Sequence, residues 1–431
     1  MTPGQFTKMG DTMPARNGWI VFVELHTLPG GGRGRLSAGE AVVAPCRAQL
    51  EAAKRLGFHT AVAVSDRASY GSQFDDVVDA WLFANTTDAA NIAHVLRALH
   101  GEIVAVFSSV DSFVRVAAAV AAKFGLAGPQ PLGAGIARDK AVARAALASA
   151  GVPDIRWGVK SAHDDDLDSP IGYPCIVKPV DGAASWDVVL AEDVQAVRDV
   201  AARHLQRAYG RRVRPQRKLL FEEVLVGPLL SAEGFIDSGE VCTIGYSDRV
   251  LSAPPRFVEL AVRFAADLPF DGADEYVAET LAALEYDFGA FHLEFILTSD
   301  GPRLVELNPR FVGAGVQHAI SELTGVPPAE LLMAKLTGNP VPEFTCEGAV
   351  TELYLTAPAS GRLEGVRGLD EAVAVEGCRA AGLYVALGDE VSSEVESNSQ
   401  YIGYVHAVGD SRAQSYAIAL EAASRISFEI R

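Results

Sequence analysis

Two short apolar strands flank a Ser-Asp-Gly-Pro turn in the stretch Phe291-His-Leu-Glu-Phe-Ile-Leu-Thr-Ser-Asp-Gly-Pro-Arg-Leu-Val-Glu-Leu-Asn308. That pattern reads as a β-hairpin with a slightly long loop. Glu294 lies in the first strand. Glu306 and Asn308 are two apart in the second, so both side chains point to one face. Arg310 stands just beyond. A hairpin that aims Glu, Glu and Asn at one point supplies hard oxygen ligands beside a positive charge, as Mg²⁺ bridging nucleotide phosphates requires. The competing reading is a half-exposed hairpin whose polar face is merely solvated, and a Glu-x-Asn pair alone does not choose between them.

With 431 residues, the chain has room for two or three domains with sizeable cores. The formal charge of −18 argues against sequence-independent binding to nucleic acid or to anionic membranes. It leaves room for an anionic small molecule, because a local cluster of Lys and Arg can outweigh the global sign. The cysteines (Cys46, Cys175, Cys242, Cys346, Cys378) are scattered and odd in number, which reads as free thiols in a reducing compartment. No signal-peptide core or membrane-length apolar run is visible, so a cytoplasmic protein is expected.

Residues 1–17 are polar and read as a disordered extension. Strands at 19–25, 60–64, 79–82 and 103–107 alternate with helices at 87–100 and 113–124, and a further helical stretch runs to about residue 56. This is the pattern of a parallel α/β domain over 18–128. The Gly-rich loop at 30–34 lacks a clean Gly-x-Gly-x-x-Gly spacing, so it reads as a tight turn or a substrate-facing loop. A helix from Asp139-Lys140 to Ala150 stops at Gly151-Val-Pro153. Residues 155–226 look like a small inserted α+β domain. Strands at 231–236 and 241–246 and a helix at 274–284 precede the hairpin, and further strands and a closing helix fill 349–431.

Three features accompany the hairpin. Lys178 ends the buried strand of Gly172-Tyr-Pro-Cys-Ile-Val-Lys178-Pro, where an unpaired ammonium would be costly. Its anion is either a nucleotide phosphate or a partner carboxylate. The loop Asp181-Gly-Ala-Ala-Ser-Trp-Asp187 follows, with small residues (Ser185 among them) whose backbone can approach phosphate oxygens. Then Leu219-Leu-Phe-Glu-Glu-Val-Leu-Val-Gly-Pro-Leu-Leu-Ser-Ala-Glu233 links two strands by a segment that can offer main-chain groups to an adenine edge.

In this order, these motifs resemble the ATP-grasp superfamily over roughly residues 100 to 325. Within it, Gly289-Ala-Phe-His-Leu-Glu-Phe and Glu306-Leu-Asn-Pro-Arg310 look most like the L-amino-acid ligase (dipeptide synthetase) branch, as does the tail Gly403-Tyr-Val-His-Ala-Val-Gly-Asp410. The resemblance implies an ATP-grasp fold of α/β and α+β domains. Its parts would be the N-terminal domain, a core over 129–348 with a lid at about 155–226, and a C-terminal mixed-sheet subdomain over 349–431. It further implies that Lys140 and Lys178 hold the α- and β-phosphates, with Ser185 in the loop beside them. Glu222, Glu223 and Leu225 would border the adenine and Glu233 the ribose. Glu294, Glu306 and Asn308 would hold two Mg²⁺ ions (or Mn²⁺), and Arg310 would meet the substrate carboxylate or the transferred phosphoryl group.

Two departures from the family pattern stand out. Asp187 occupies a position where Gly is common, which brings an acid near the phosphates. Glu259, in Phe257-Val-Glu259, keeps a substrate or proton-accepting role, but Val262 replaces the His expected three residues later. Arg263 is either a substitute carboxylate ligand or a solvated surface residue. The side-chain pocket is expected around residues 259–263 and 313–318. The implied activity is ATP-dependent amide formation between an amino acid or small carboxylate and an amine, in a chain that could pair as a homodimer. A carboxylase or purine-type ligase and a non-catalytic ATP-binding regulatory module are the alternatives.

Overall fold

The structure is a computed structural model, and it describes residues 18–25, 37–39, 45–182, 185–206, 215–237 and 239–431. The expected extension at 1–17 and the loop at 30–34 lie outside the described residues.

The N-terminal strands β1 (Trp19–Val23), β2 (His59–Val64), β3 (Ala80–Phe83) and β4 (Ile103–Phe107) form a parallel sheet in the order β3-β2-β1-β4. β1 is apolar at every position because both of its faces are covered. Ile20 and Phe22 pack with Leu50, Phe58 and Val62, while Val21 and Val23 pack with Ile92, Leu96 and Phe113. The helices of this region are α1 (Pro45–Arg55), α2 (Ala89–Leu96) and α3 (Asp111–Phe124). α2 starts slightly later than expected because Asp88 caps it, accepting from the N–H groups of Ala90 and Asn91, and it ends at Leu96 rather than near residue 100.

Two helices follow, α4 (Pro131–Arg138) and α5 (Lys140–Ala150). α4 went unread in the sequence. Gly133 is needed there, since a Cβ would lie 2.0 Å from the Glu285 carbonyl oxygen. Asp139 caps α5, and Gly151 ends it in the left-handed conformation.

Strands β5 (Trp157–Ser161), β6 (Cys175–Pro179), β7 (Val189–Ala191) and β8 (Lys218–Glu223) form an antiparallel sheet in the order β5-β8-β6-β7. Helix α6 (Val194–Gln206) packs on it through Val197 and Val200 against Val177 and Phe221.

A small three-stranded sheet of Gly361–Arg367, Glu390–Val391 and Ser427–Ile430 lies in the C-terminal region, and a nine-stranded sheet carries the site. Its strands are β9 (Leu229–Asp237), β10 (Glu240–Leu251), β11 (Glu259–Ala265), β12 (Gly289–Thr298), β13 (Gly301–Asn308), β14 (Ala349–Leu355), β15 (Cys378–Leu383) and β16 (Gly403–Gly409). They run β13-β12-β9-β10-β11-β14-β16-β15, with Ser37–Gly39 at the far edge, and each of these pairings is antiparallel. β11 went unread in the sequence because Glu259 and Arg263 interrupt its apolar pattern. Arg263 is satisfied across the ladder by Asp248 at 2.6 and 2.8 Å. The remaining helices used below are α7 (Ala273–Ala283), α8 (Ala314–Thr324) and α9 (Pro328–Thr337).

Register fixes what each face of this sheet presents. Glu306 pairs Glu294, Glu294 pairs Ser231, and Ser231 pairs Ser247. Two residues further along β10, Arg249 pairs Val262, Val262 pairs Glu352, and Glu352 pairs His406. Paired residues share a face, so one row crosses seven strands and is polar on all of them but β11, where Val262 stands. The opposite face holds Phe291, Leu293, Phe295 and Leu307, buried against Val277 and Leu281 of α7.

Candidate active site

The hairpin end of the polar row is a cluster of acids met by cations from elsewhere. Lys140, the first residue of α5, places Nζ 2.6 Å from Glu306 Oε2 and donates to the Gly182 carbonyl at 2.8 Å. Asn308 donates its amide to Glu306 Oε1 at 2.9 Å, which leaves its own oxygen available. Burial opposes charge on Glu306, but Lys140, Asn308 and Lys178 outweigh it and push its pKa down to about 2. Glu306 is therefore a carboxylate under all ordinary conditions.

Lys178 at the end of β6 meets Glu222 of β8 at 2.7 Å. Of its two expected anions, the structure realises the carboxylate. Arg144 of α5 closes on the same carboxylate at 2.9 and 2.8 Å, and its other arm reaches Asp154 at 2.9 Å. Burial presses the Lys178 ammonium toward neutrality, with Glu222 working against it. The Glu222 side chain is thus fully occupied, and its main chain lies in the ladder between Trp157 and Ile176. Glu223 likewise spends its carboxylate on the Arg156 backbone N–H and Nε, at 2.9 and 3.0 Å. Leu225 sits in the segment between β8 and β9, where Gly227 comes so close to Leu297 that a Cβ would lie 2.0 Å from its carbonyl oxygen.

Glu233 departs from the role expected of it at a ribose. It is fully buried, and its carboxylate accepts from Ser231 Oγ at 2.7 Å and faces His292 Nδ1 at 2.8 Å. The other ring nitrogen, Nε2, is 2.9 Å from Glu294 Oε1. Burial opposes a charge on His292, but Glu233 and Glu294 win and raise its pKa to about 9. On the other side of Ser231, Arg249 reaches its Oγ at 3.1 Å and donates Nε to Glu259 Oε1 at 2.7 Å. A continuous buried chain therefore runs Glu259–Arg249–Ser231–Glu233–His292–Glu294. It links the expected substrate carboxylate to an expected metal carboxylate, while Arg249 Nη1 is left buried with no hydrogen-bond partner among the described residues.

Arg310 is gripped by Asp111, the first residue of α3, through two bonds of 2.6 and 2.9 Å, and a third goes to the Phe311 carbonyl. This fork ties the N-terminal sheet to the hairpin. Asp187, expected as an acid near the phosphates, is instead buried and 3.5 Å from Arg203 of α6. Ser185 and Asp187 both have left-handed φ, +56° and +58°, so the turn between β6 and β7 is strained. Arg263 is held by Asp248, which removes it as a substitute ligand. Val262 is buried between Arg249 and Glu352 in the ladder.

The sequence reading missed Arg144, Asp111, Arg249, Ser231 and His292. His292 was within reach, because it precedes Glu294 by two in the same strand. Asp111 and Arg144 carry no local signal, since their partners are 199 and 78 residues away.

The residues present fit a hard divalent cation. The Glu294 and Glu306 side chains are 16% and 19% exposed, enough to reach a ligand, and Asn308 adds a third oxygen on the same face. Lys140, Lys178 and the Gly182 backbone beside them suit phosphate oxygens.

An ATP-grasp domain family matches residues 171–318, and the L-amino acid ligase C-terminal domain 2 family matches residues 353–431. An uncharacterized protein y4rH of Sinorhizobium fredii is 30% identical over 408 residues, spanning 89% of this chain and 80% of that protein. The chain belongs to the ATP-grasp family. Dapdiamide A synthase of Enterobacter agglomerans is 24% identical over 279 residues, 58% of this chain and 62% of that one. Among solved structures, L-amino acid ligase from Bacillus licheniformis superposes with a TM-score of 0.76 at 19% identity, covering 97% of this chain and all 100% of that one. Phosphoribosylglycinamide synthetase from Anaerococcus prevotii superposes at 0.67 and 15% identity, over 96% and 100%. The protein is an ATP-grasp ligase of the carbon–nitrogen bond-forming type, in a family whose enzymes generally use ATP and divalent metals. Among the described residues, no helix is long and apolar enough to cross a membrane.

Proposed function

We propose that this ligase joins an amino acid or small carboxylic acid to an amine through an acyl phosphate, releasing ADP and phosphate. The carrying observation is the buried chain from Glu259 to Glu294, which fixes a substrate-facing acid relative to the metal-facing hairpin. Hydroxide is a hopeless leaving group, so a carboxylate must be activated before an amine can displace it. The carboxylate oxygen attacks the γ-phosphorus, the bond to ADP breaks, and the amine then expels phosphate from the acyl carbon. The protein's share is positioning and charge neutralisation.

Lys140 and Lys178 would hold the α- and β-phosphates, with the turn at Ser185 over them. The main chain of 222–225 would border the adenine. Glu294, Glu306 and Asn308 would hold two Mg²⁺ ions, or Mn²⁺, which neutralise phosphate charge. Arg310, oriented by Asp111, would face the transferred phosphoryl group. The amine must lose a proton, and Glu259 or the phosphate accepts it, Asp187 being turned to Arg203. The sheet of β5–β8 with α6 would close as a lid that shields the acyl phosphate from water.

The test is phosphate release with Mg-ATP across a matrix of single and paired amino acids and simple amines, with mass detection of products. A pair-dependent release, with a product lighter than its two substrates by one water, is expected. Release that needs bicarbonate instead would favour the carboxylase alternative. Mg-ATP binding without turnover under every mixture would favour a regulatory module.

A further inference from the structure

The far end of the same row carries a cluster to which the ligase reading gives no chemistry, although His318 closes the segment 313–318 expected to line the side-chain pocket. His406 of β16 is fully buried, with Nδ1 2.9 Å from Glu352 Oε2 on β14 and Nε2 3.2 Å from Glu322 Oε2 on α8. His318 and Glu322 are four apart on α8 and so share a helix face. The His318 and His406 ring centroids are 5.0 Å apart. The ligand atoms of His318, Glu322 and His406 all lie within 4.8 Å of one another. Gly315 lets α8 come this near, since a Cβ there would sit 2.4 Å from Glu352 Cδ.

We propose that His318, Glu322 and His406 form a site for one divalent transition-metal ion of the zinc type, separate from the magnesium–nucleotide site. Two imidazoles and one carboxylate are a donor set that suits Zn²⁺ and does not suit Mg²⁺. At Zn–ligand distances of about 2.0–2.1 Å, neighbouring donors of a tetrahedron lie about 3.4 Å apart, and His406 Nε2 and Glu322 Oε2 are already 3.2 Å apart. Glu352, 1% exposed, is an acceptor for the Nδ1–H of His406, which turns the Nε2 lone pair toward Glu322. This carboxylate–imidazole–metal order is the usual support of a histidine ligand.

Two neighbours complete the cluster. Arg379 donates to Glu322 Oε1 at 2.6 Å, leaving Oε2 for the ion, and the Tyr384 hydroxyl donates to Glu352 Oε1 at 3.3 Å. Without an ion, a proton on His406 fills the place: burial opposes it, but Glu322 and Glu352 hold it up to a pKa of about 9. Metal binding displaces that proton. The ion would pin α8, which begins just after Arg310, to the C-terminal strands. Nothing in this depends on the ligase reading.

The full-length protein, stripped with a chelator, is titrated with Zn²⁺ in millimolar Mg²⁺, with metal content measured per chain. Co²⁺ is then substituted and its visible spectrum recorded. One Zn²⁺ per chain and the intense Co²⁺ bands of a four-coordinate nitrogen-bearing site are expected. His318→Ala, at a half-buried position and with a circular dichroism spectrum like that of the wild type, should weaken Zn²⁺ binding by at least about tenfold. Glu306→Gln should leave Zn²⁺ binding intact. Absence of Zn²⁺ uptake, or uptake lost with Glu306→Gln and kept with His318→Ala, would overturn the site and leave a protonated ion-pair cluster.

Discussion

Glu306 and Glu352 are acids on one face of one sheet, and they are held by opposite means. Glu306 is 19% exposed at its side chain and meets an ammonium from a separate helix. Glu352 is 1% exposed and meets the imidazole directly opposite it in the ladder. The difference separates acids that can exchange a protein cation for a ligand from acids that orient a neighbour. The hairpin end of the row is built to be visited, and its cations come from α5 (Lys140), from β6 (Lys178) and from the segment just after β13 (Arg310). The middle of the row is buried, and Arg249, Ser231, Glu233 and His292 are bonded mainly to one another and to the acids at either end.

That contrast can be broken by substitution. The largest effect belongs to the visited end: Glu306→Gln should lower pair-dependent phosphate release about a thousandfold, because a preorganised charge beside the transferring phosphoryl is lost. A circular dichroism spectrum like that of the wild type must accompany it. A variant that keeps a tenth of its activity would place the chemistry elsewhere.

Asp111→Asn comes next, since it leaves half a fork on Arg310. The expected cost is about 2–3 kcal/mol of stability in denaturant titrations, with turnover falling about tenfold or more. Its pH dependence has a definite sign. Burial raises the Asp111 pKa, but Arg310 and Arg138 more than offset this, so the folded pKa lies below the unfolded one. The stabilisation is present above the usual carboxylate range and fades as pH falls through the folded value. The gap between wild type and Asp111→Asn should therefore narrow in acid. A constant gap would mean that the fork is not what Asp111 contributes.

In the sealed middle, Arg249→Lys keeps the charge and loses the fork that joins Glu259 to Ser231. The KM for the acid substrate should rise about tenfold, while the KM for ATP stays within about twofold. Equal changes in both would reduce Arg249 to a general structural role. The smallest effect is expected from Ser185→Gly, which relieves a left-handed φ. Stability should rise by about 0.5–1 kcal/mol, with only a small change in the KM for ATP if the contact there is main-chain.

How much of this the sequence showed follows the same division. The hairpin was legible because its strands, its turn and the period-two pair Glu306 and Asn308 lie within about 20 residues, and the parallel N-terminal sheet was legible because both-face burial leaves unbroken apolar runs. Lys178 was legible as a buried cation needing an anion, although not as the partner of Glu222. Arg249 and Asp111 were silent, since each depends on a partner brought near only by the tertiary fold. Glu233 and Asp187 were misplaced for a related reason: a motif position gives the residue type but not the direction in which its carboxylate turns.

The most direct test of the account uses the acid substrate labelled with ¹⁸O in its carboxylate, with Mg-ATP and the amine, and measures the mass of the phosphate released. Activation through an acyl phosphate predicts one ¹⁸O carried from the acid into each phosphate as the amide forms. Amide product accompanied by unlabelled phosphate would contradict it.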